Sequence, residues 1–301
     1  TVRCCTQNGI RGGSATVHFP IWHQEISDIL VLKNNKGTED NRVRKLDYSI
    51  QLSKLFYERF IQNKEISLFS PHDCPNLYES FGTDKFDDLY CRYEADESIP
   101  RTTIGAQELI LDLLKERAET GRIYIMNIDH CNSHSSFKDK VSMSNLCQEI
   151  TLPTLPISHI DDHLGEIALC ILSAVNVGKI RNDEELEELC DLSVRGLEEL
   201  IDYQRYPVKA AELATKARRS LGVGFIGLAH YLAKLGYKYE SQEAWDAVHG
   251  LAESFQYYLL KASNAIAKEK GHCENFGRTK YADGILPIDT YKKDVDEICS
   301  Q

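Results

Sequence analysis

The sequence predicts an α/β fold with largely parallel strand pairing. Three observations carry that expectation. Strand-like runs alternate along the chain with segments of helical periodicity. The 301 residues suffice for two domains or for one large α/β barrel, and are ample to bury a core. Neither an internal repeat nor a low-complexity linker interrupts them.

Taken in order, residues 1–14 are expected to form a loop. Gly9, Gly12 and Gly13 interrupt any helix, and Gln7, Asn8 and Arg11 supply polar groups. Residues 15–20 are strand-like, and a helix with Ile26, Ile29 and Leu30 on one face follows Trp22. Residues 33–44 read as a charged loop. Helical periodicity spans 47–62 and 105–119, with Gly121 offering the second a stop. Residues 123–126 have the pattern of a short buried strand, and the polar stretch 127–144 follows. The apolar run 166–172 fits a strand or a short helix. Residues 183–203 are predicted helical, with an acidic first turn that complements the macrodipole. Residues 209–219 form another helix. Residues 221–225 read as a strand feeding a helix to 235, and 242–270 as one long helix.

The balance of 35 basic against 46 acidic residues gives a formal charge of −11, which argues against a nucleic-acid surface. No apolar run approaches the roughly 20 residues that span a bilayer, and no N-terminal signal is visible. Ten scattered cysteines in such a chain suggest a cytoplasmic protein with reduced thiols, most of them packed as small hydrophobes. The chain opens without an initiator Met and stops within a polar helical pattern. It is therefore expected to be a piece of a longer polypeptide or one product of a split gene.

Three stretches could carry chemistry. Gly222-Val223-Gly224-Phe225-Ile226-Gly227 matches G-x-G-x-x-G, but a basic helical segment precedes it and no isolated acidic residue follows at the required distance. A tight strand-to-helix turn, with glycines permitting close packing, explains it better. Asp129-His130-Cys131-Asn132-Ser133-His134 invites a zinc reading but lacks the paired spacing of a zinc knuckle, so no metal site is assigned. The third stretch is Ser144-Asn145-Leu146-Cys147-Gln148-Glu149-Ile150. If extended, it sets Asn145, Cys147 and Glu149 on one face and Leu146, Gln148 and Ile150 on the other. Glu149 could then serve as a general base and Asn145 could orient a hydroxyl. Cys147 could be a nucleophile, a radical carrier or a buried structural thiol, and the pattern leaves these open.

The stretch SNLCQEI resembles the finger-loop signature of the large, catalytic subunit of class I ribonucleotide reductases. Further likenesses follow in the family's order: QNGIRGG, PIWHQEI, SLFSPHDCPNLYE, TGRIYIMNIDHCN, GEIALCILSAVNVG, LDYQRYP, RRSLGVGFIGLAHYLAK, YYLLKAS and GILPIDTYKKD. They cover nearly the whole chain and are most similar to the aerobic bacterial and phage type. The resemblance implies part of a ten-stranded α/β barrel, made of two five-stranded parallel halves running antiparallel to each other. A finger loop threads that barrel, with 144–150 as its tip.

By the same resemblance, Cys147 becomes a thiyl radical that removes the 3′ hydrogen of a ribonucleoside diphosphate. Glu149 accepts the 3′ hydroxyl proton and Asn145 hydrogen-bonds the ribose hydroxyls, with Leu146 and Gln148 completing the substrate-binding stretch. Cys170 is one of two cysteines that reduce the intermediate and end as a disulfide. Residues 1–14 correspond to a specificity loop in which Gln7 and Arg11 read the base, although Asn8 stands where a glycine is common in the family. The implied partners are a small subunit with a di-iron tyrosyl radical, a second large subunit, and thioredoxin or glutaredoxin as reductant. ATP and deoxynucleoside triphosphates are the implied effectors.

The cysteine that pairs with Cys170 and most of the effector site are expected upstream. The phosphate-binding loop, the radical-relaying tyrosines and a re-reducing cysteine pair are expected downstream. On this view the chain carries the catalytic centre but needs those segments in cis or in trans. The alternatives are a cobalamin-dependent or glycyl-radical relative, and a non-catalytic fragment that binds nucleotide or dimerises.

Overall fold

The computed structural model describes residues 2–6 and 8–290; Thr1, Gln7 and residues 291–301 lie outside the described residues. The chain divides into two units, one running to Pro153 and taking in residues from Asp283, the other Thr154–Ala282.

In the first unit, β1 (Thr16–Pro20), α1 (Ile26–Leu30), β2 (Asp47–Leu52) and α2 (Lys54–Ile61) lead to β3 (Glu65–Phe69) and the short α3 (Leu77–Ser80). Next come α4 (Phe86–Ala95), β4 (Arg101–Gly105), α5 (Ala106–Thr120), β5 (Ile123–Asn127) and α6 (Ile128–Ser133). Strands β1, β2 and β5 form a parallel sheet with β2 in the centre. Strands β3 and β4 pair antiparallel. The helical expectation over 47–62 is thus corrected. Tyr48, Ile50 and Leu52 alternate with Ser49 and Gln51, and pairing on both edges makes 47–52 a strand. The helix starts only after Ser53, whose hydroxyl accepts the Phe56 N–H.

This sheet has two chemically different faces. Val17, Phe19, Tyr48, Ile50, Leu52, Ile123 and Ile125 pack with α1, α2 and α5 in one apolar core. The opposite face presents Thr16 and His18 from β1 and Ser49 and Gln51 from β2. Ser49 and Gln51 are buried all the same, so something polar must cover them. A second core gathers Trp22, Phe69, Phe81, Phe86 and Tyr90 with Met126, Ile128 and Val141.

The second unit contains β6 (Ile171–Asn176), α7 (Asp183–Tyr203), α8 (Lys209–Arg218), β7 (Leu221–Ile226), α9 (Leu228–Leu235) and α10 (Gln242–Lys270). Strands β6 and β7 pair in parallel. Their apolar side chains meet α7 and α10 through Val175, Cys190, Val223, Leu251 and Phe255. Helix α7 starts at Asn182, whose side chain accepts the Glu185 N–H, and α10 starts at Ser241, which accepts from Ala244. The run 166–172 resolves into irregular chain to Cys170 and a strand from Ile171.

The α/β expectation and the dominance of parallel pairing hold, with β3–β4 the antiparallel exception. Among the described residues the strands form three separate sheets rather than a closed ten-stranded barrel. No helix of the described residues is long and apolar enough to cross a membrane.

Candidate active site

The polar face of the β1-β2-β5 sheet is covered by the segment 141–150. Val141 anchors its start: the side chain is fully buried in the aromatic core. Asn132, on α6, accepts the Val141 N–H at 2.8 Å and donates to the Val141 carbonyl at 3.0 Å. The chain then crosses the strands in steps of two. Gln51 Nε2 donates to the Ser142 carbonyl at 2.7 Å, His18 Nε2 bonds the Ser144 carbonyl at 3.1 Å, and Thr16 Oγ1 donates to the Leu146 carbonyl at 2.6 Å. Gln51 is in register with Pro20, so these contacts fall at β1 positions 20, 18 and 16. The segment therefore runs extended and opposite to the strand direction, one sheet row for every two residues.

The extended geometry ends at the tip, which corrects the expectation for 145–149. Gln148 takes φ +66°, and its N–H donates to the Asn145 carbonyl at 3.2 Å, closing a turn. The physical reason is local. The Asn145 side-chain oxygen accepts the Ile150 N–H at 3.0 Å and the Ser144 hydroxyl at 3.2 Å, which offers the backbone an alternative to an extended run. The Ser144 hydroxyl also donates to the Ile150 carbonyl. Strict alternation of faces is thereby broken between Asn145 and Glu149.

Asn145 and Cys147 lie on this turn, and Glu149 is the residue that leaves it. Cys147 and Glu149 are exposed and Asn145 is half-buried. Gln148 is tied down: its side-chain oxygen accepts from the Ser49 hydroxyl and its amide nitrogen donates to the Ile125 carbonyl at 2.6 Å. Leu146 is half-buried beside it. Burial pushes His18 below the ordinary imidazole range, and the bond to the Ser144 carbonyl offsets part of that. Its Nδ1 is buried without a hydrogen-bond partner, which fits a neutral ring carrying its proton on Nε2.

Two other thiols, Cys74 and Cys190, are buried, whereas Cys147 is exposed. Burial pushes Cys74 and Cys190 up to about 11, as suits structural core thiols. Cys170 belongs to the second unit, half-buried at the residue before β6. The segment leading to it is fixed by Glu166. The Glu166 backbone pairs with Leu155 in both directions at 3.1 Å, and its carboxylate takes Arg218 at 2.5 Å.

Within 1–14, expected to be all loop, Val2–Cys4 form a single 3-10 turn; beyond it Arg11 is exposed, and Gln7 lies outside the described residues. Asn8 and Gly9 both take positive φ, +51° and +72°. Asparagine tolerates that region better than most side chains, so it can stand where a glycine would otherwise serve. A Cβ on Gly13 would lie 2.4 Å from the Cys5 carbonyl oxygen.

The glycine-rich stretch 222–227 is β7 and the first turn of α9 rather than a phosphate loop. Residues 128–133 form α6, in which Asp129 accepts the Lys54 N–H at 2.5 Å. Among the described residues no cluster of His, Cys, Asp or Glu is arranged to hold a metal ion.

Sequence reasoning named the stretch, read it as extended, and missed its holders, Thr16, His18, Ser49, Gln51 and Asn132. The available signal was the alternation of polar Thr16 and His18 with apolar Val17 and Phe19, repeated in β2. Strands polar on one face and yet buried imply a polar occupant.

The chain is similar to known proteins over its whole length. The family model of the ribonucleotide reductase barrel domain matches residues 1–300. The ribonucleoside-diphosphate reductase subunit alpha of Haemophilus influenzae is 57% identical over 305 residues, and subunit alpha of reductase 1 from Escherichia coli is 52% identical over the same length. Each alignment takes in 100% of this chain and 40% of the relative. Subunit alpha of the phage T4 enzyme is 45% identical over 307 residues, covering 99% of this chain and 40% of that protein. The chain thus spans about two fifths of the length of these relatives, and it belongs to the ribonucleotide reductase barrel-domain family.

Proposed function

We propose that this chain carries the catalytic centre of a class I ribonucleoside-diphosphate reductase, which converts ribonucleoside diphosphates to deoxyribonucleoside diphosphates for DNA synthesis. The observation that supports it best is the turn 145–148. An exposed thiol on it and an exposed carboxylate just after it follow a side-chain amide, on a segment whose backbone is bonded row by row to a sheet. On this reading the segment is the finger loop of a barrel completed by parts of the polypeptide beyond this chain.

Cys147, as a thiyl radical, takes the 3′ hydrogen of the ribose. Glu149 takes the 3′ hydroxyl proton, and Asn145 holds the hydroxyl edge. The 2′ oxygen leaves as water. Cys170 and a second cysteine outside this chain supply two electrons and close to a disulfide, so one dithiol is consumed per deoxynucleotide. The hydrogen held by Cys147 then returns to C3′. The radical originates in a small subunit with a di-iron tyrosyl centre, in keeping with relatives that are each named a subunit alpha. The loop 1–14, with Gln7 and Arg11, reads the base under the control of ATP and deoxynucleoside triphosphates. A second large subunit, and thioredoxin or glutaredoxin in a reducing cytoplasm, complete the system.

The test is CDP reduction by the complete alpha subunit bearing this sequence, with a radical-loaded small subunit, ATP and dithiothreitol. Product from the wild type and none from Cys147→Ser is expected. No product from a correctly assembled wild type would favour a non-catalytic role. Activity that required cobalamin in place of the small subunit would overturn the class I assignment.

A further inference from the structure

The tip of the loop carries a contradiction that asks for a cause. Gln148 sits at φ +66°, a region that L side chains other than Asn and Asp seldom enter. Glycine would adopt it without strain, so a glutamine here must be offset by what its side chain does. Both ends of that side chain are used. The oxygen accepts from the Ser49 hydroxyl, and the nitrogen donates to the Ile125 carbonyl at 2.6 Å. Ser49 is fully buried at the centre of the sheet, 0% exposed, and Ile125 lies on β5 one residue past Tyr124, the register partner of Ser49. The strained residue lies between Cys147 and Glu149 in the chain. Locking it fixes the directions in which the residues on either side leave the turn.

We propose that Gln148 and Ser49 are positioning residues, forming a latch that holds the Cys147 thiol and the Glu149 carboxylate in one fixed relation to the substrate. The proposal rests on the assignment of Cys147 and Glu149 above. It departs from the expectation that Gln148 binds substrate. With both ends of its amide engaged by β2 and β5, the side chain acts through its neighbours. Ser49, sealed behind the loop, reaches no ligand at all. Small displacements matter here because hydrogen abstraction and proton transfer must both meet the same sugar edge, and a misplacement of about 1 Å can cost on the order of a hundredfold in rate.

The test compares Ser49→Ala, Gln148→Ala and Gln148→Gly in the complete alpha subunit with its small subunit. The expected result is a fall of about tenfold or more in kcat for all three, with KM for CDP within about twofold of wild type. The double variant Ser49→Ala/Gln148→Ala should be no worse than Gln148→Ala alone, because Gln148→Ala already removes the contact with Ser49. Gln148→Gly discriminates further: if the turn needed only its backbone conformation, glycine would match wild type, and that would overturn the latch. A raised KM with intact kcat in Gln148→Ala, alongside wild-type behaviour of Ser49→Ala, would return Gln148 to substrate binding.

A second readout needs no turnover. Amide hydrogen exchange over 144–150 should quicken about tenfold in Ser49→Ala and Gln148→Ala, since the Gln148 and Ile150 N–H bonds close the turn that the latch secures. Unchanged exchange would refute the latch even in an active enzyme. Faster exchange in a protein that makes no deoxynucleotide would sustain the latch while the proposed function fell.

Discussion

The sharpest stability prediction concerns Glu166 and Arg218, which hold the segment leading to Cys170. Arg218 ends α8 with its side chain 4% exposed, and Glu166 is 14% exposed. Nε and Nη2 of Arg218 both reach one carboxylate oxygen, at 3.1 and 2.5 Å, while Arg278 approaches the other at 3.5 Å from a more open position. Replacing Arg218 with Met removes the main countercharge and leaves a desolvated carboxylate. Breaking such a pair typically costs about 3–5 kcal/mol. Arg278 remains, and the carboxylate retains some contact with water, so the expected loss is about 2–3 kcal/mol. At about 4 °C per kcal/mol for a unit of this size, the midpoint should fall by about 8–12 °C. The double variant Glu166→Leu/Arg218→Met, in which no charge is stranded, should recover to within about 1 kcal/mol of wild type. Urea and thermal unfolding followed by circular dichroism measure the free energies and the midpoint shift. A double variant as unstable as the single would refute the argument, because the cost would then come from lost packing of the arginine stem rather than from a buried unpaired charge.

Two further outcomes follow from the geometry. Gly227→Ala places a methyl group 2.4 Å from Asn176 Oδ1 on a residue at φ +79°, and should cost about 2–3 kcal/mol in thermal unfolding. Gly224→Ala meets nothing within 4 Å and should stay within about 0.5 kcal/mol, so equal losses would contradict a packing role confined to the turn. The second concerns pH. His18 titrates below its unfolded value of 6.5 because burial disfavours the charged ring. Below 6.5 the unfolded chain therefore binds the proton first. The contribution is whole above 6.5 and is lost as pH falls from there toward the folded value. His23, also lowered by burial, acts in the same sense. His18→Gln keeps a donor for Ser144 and should lose less stability than wild type between pH 7.5 and 5.5. Parallel melting profiles for the two proteins would rule this out.

What the sequence disclosed follows from what is local. Helices α7 and α10 run as expected because each is long, amphipathic and opened by a capping side chain, Asn182 or Ser241. Strand β5 showed as an apolar run, and β7 as the strand before a helix. Strand β2 was hidden because Tyr48, Ile50, Leu52, Leu55 and Phe56 fit helical spacing nearly as well as alternation; pairing to β1 and β5 decides the matter, and neither partner is adjacent in sequence. Strand β4, Arg101–Gly105, is polar and exposed over much of its length, so nothing apolar marked it. Its partner β3 is fixed partly by the Tyr90 hydroxyl, which bonds both the N–H and the carbonyl of Ser67. At the site, Asn145, Cys147 and Glu149 were legible because they lie together in the chain. Thr16, His18, Ser49 and Gln51 were not, because each acts through a contact with a segment far along the sequence.

That division bears on how the loop can work. A segment without regular secondary structure cannot lie against a buried surface unless its carbonyls find donors. Residues 142, 144 and 146 find them in Gln51, His18 and Thr16, one per sheet row. The spacing matches only because a parallel sheet repeats its side chains every two residues and an extended segment repeats its carbonyls at the same pitch. Beyond Leu146 the match ends and the chain turns, which leaves Cys147 and Glu149 exposed while Gln148 is drawn back to Ser49 and Ile125. On the proposed function, the Cys147 thiol must be held still without being enclosed by its own chain. Fastening the backbone to the sheet, and one side chain at the tip, would meet both demands and leave Cys147 and Glu149 open.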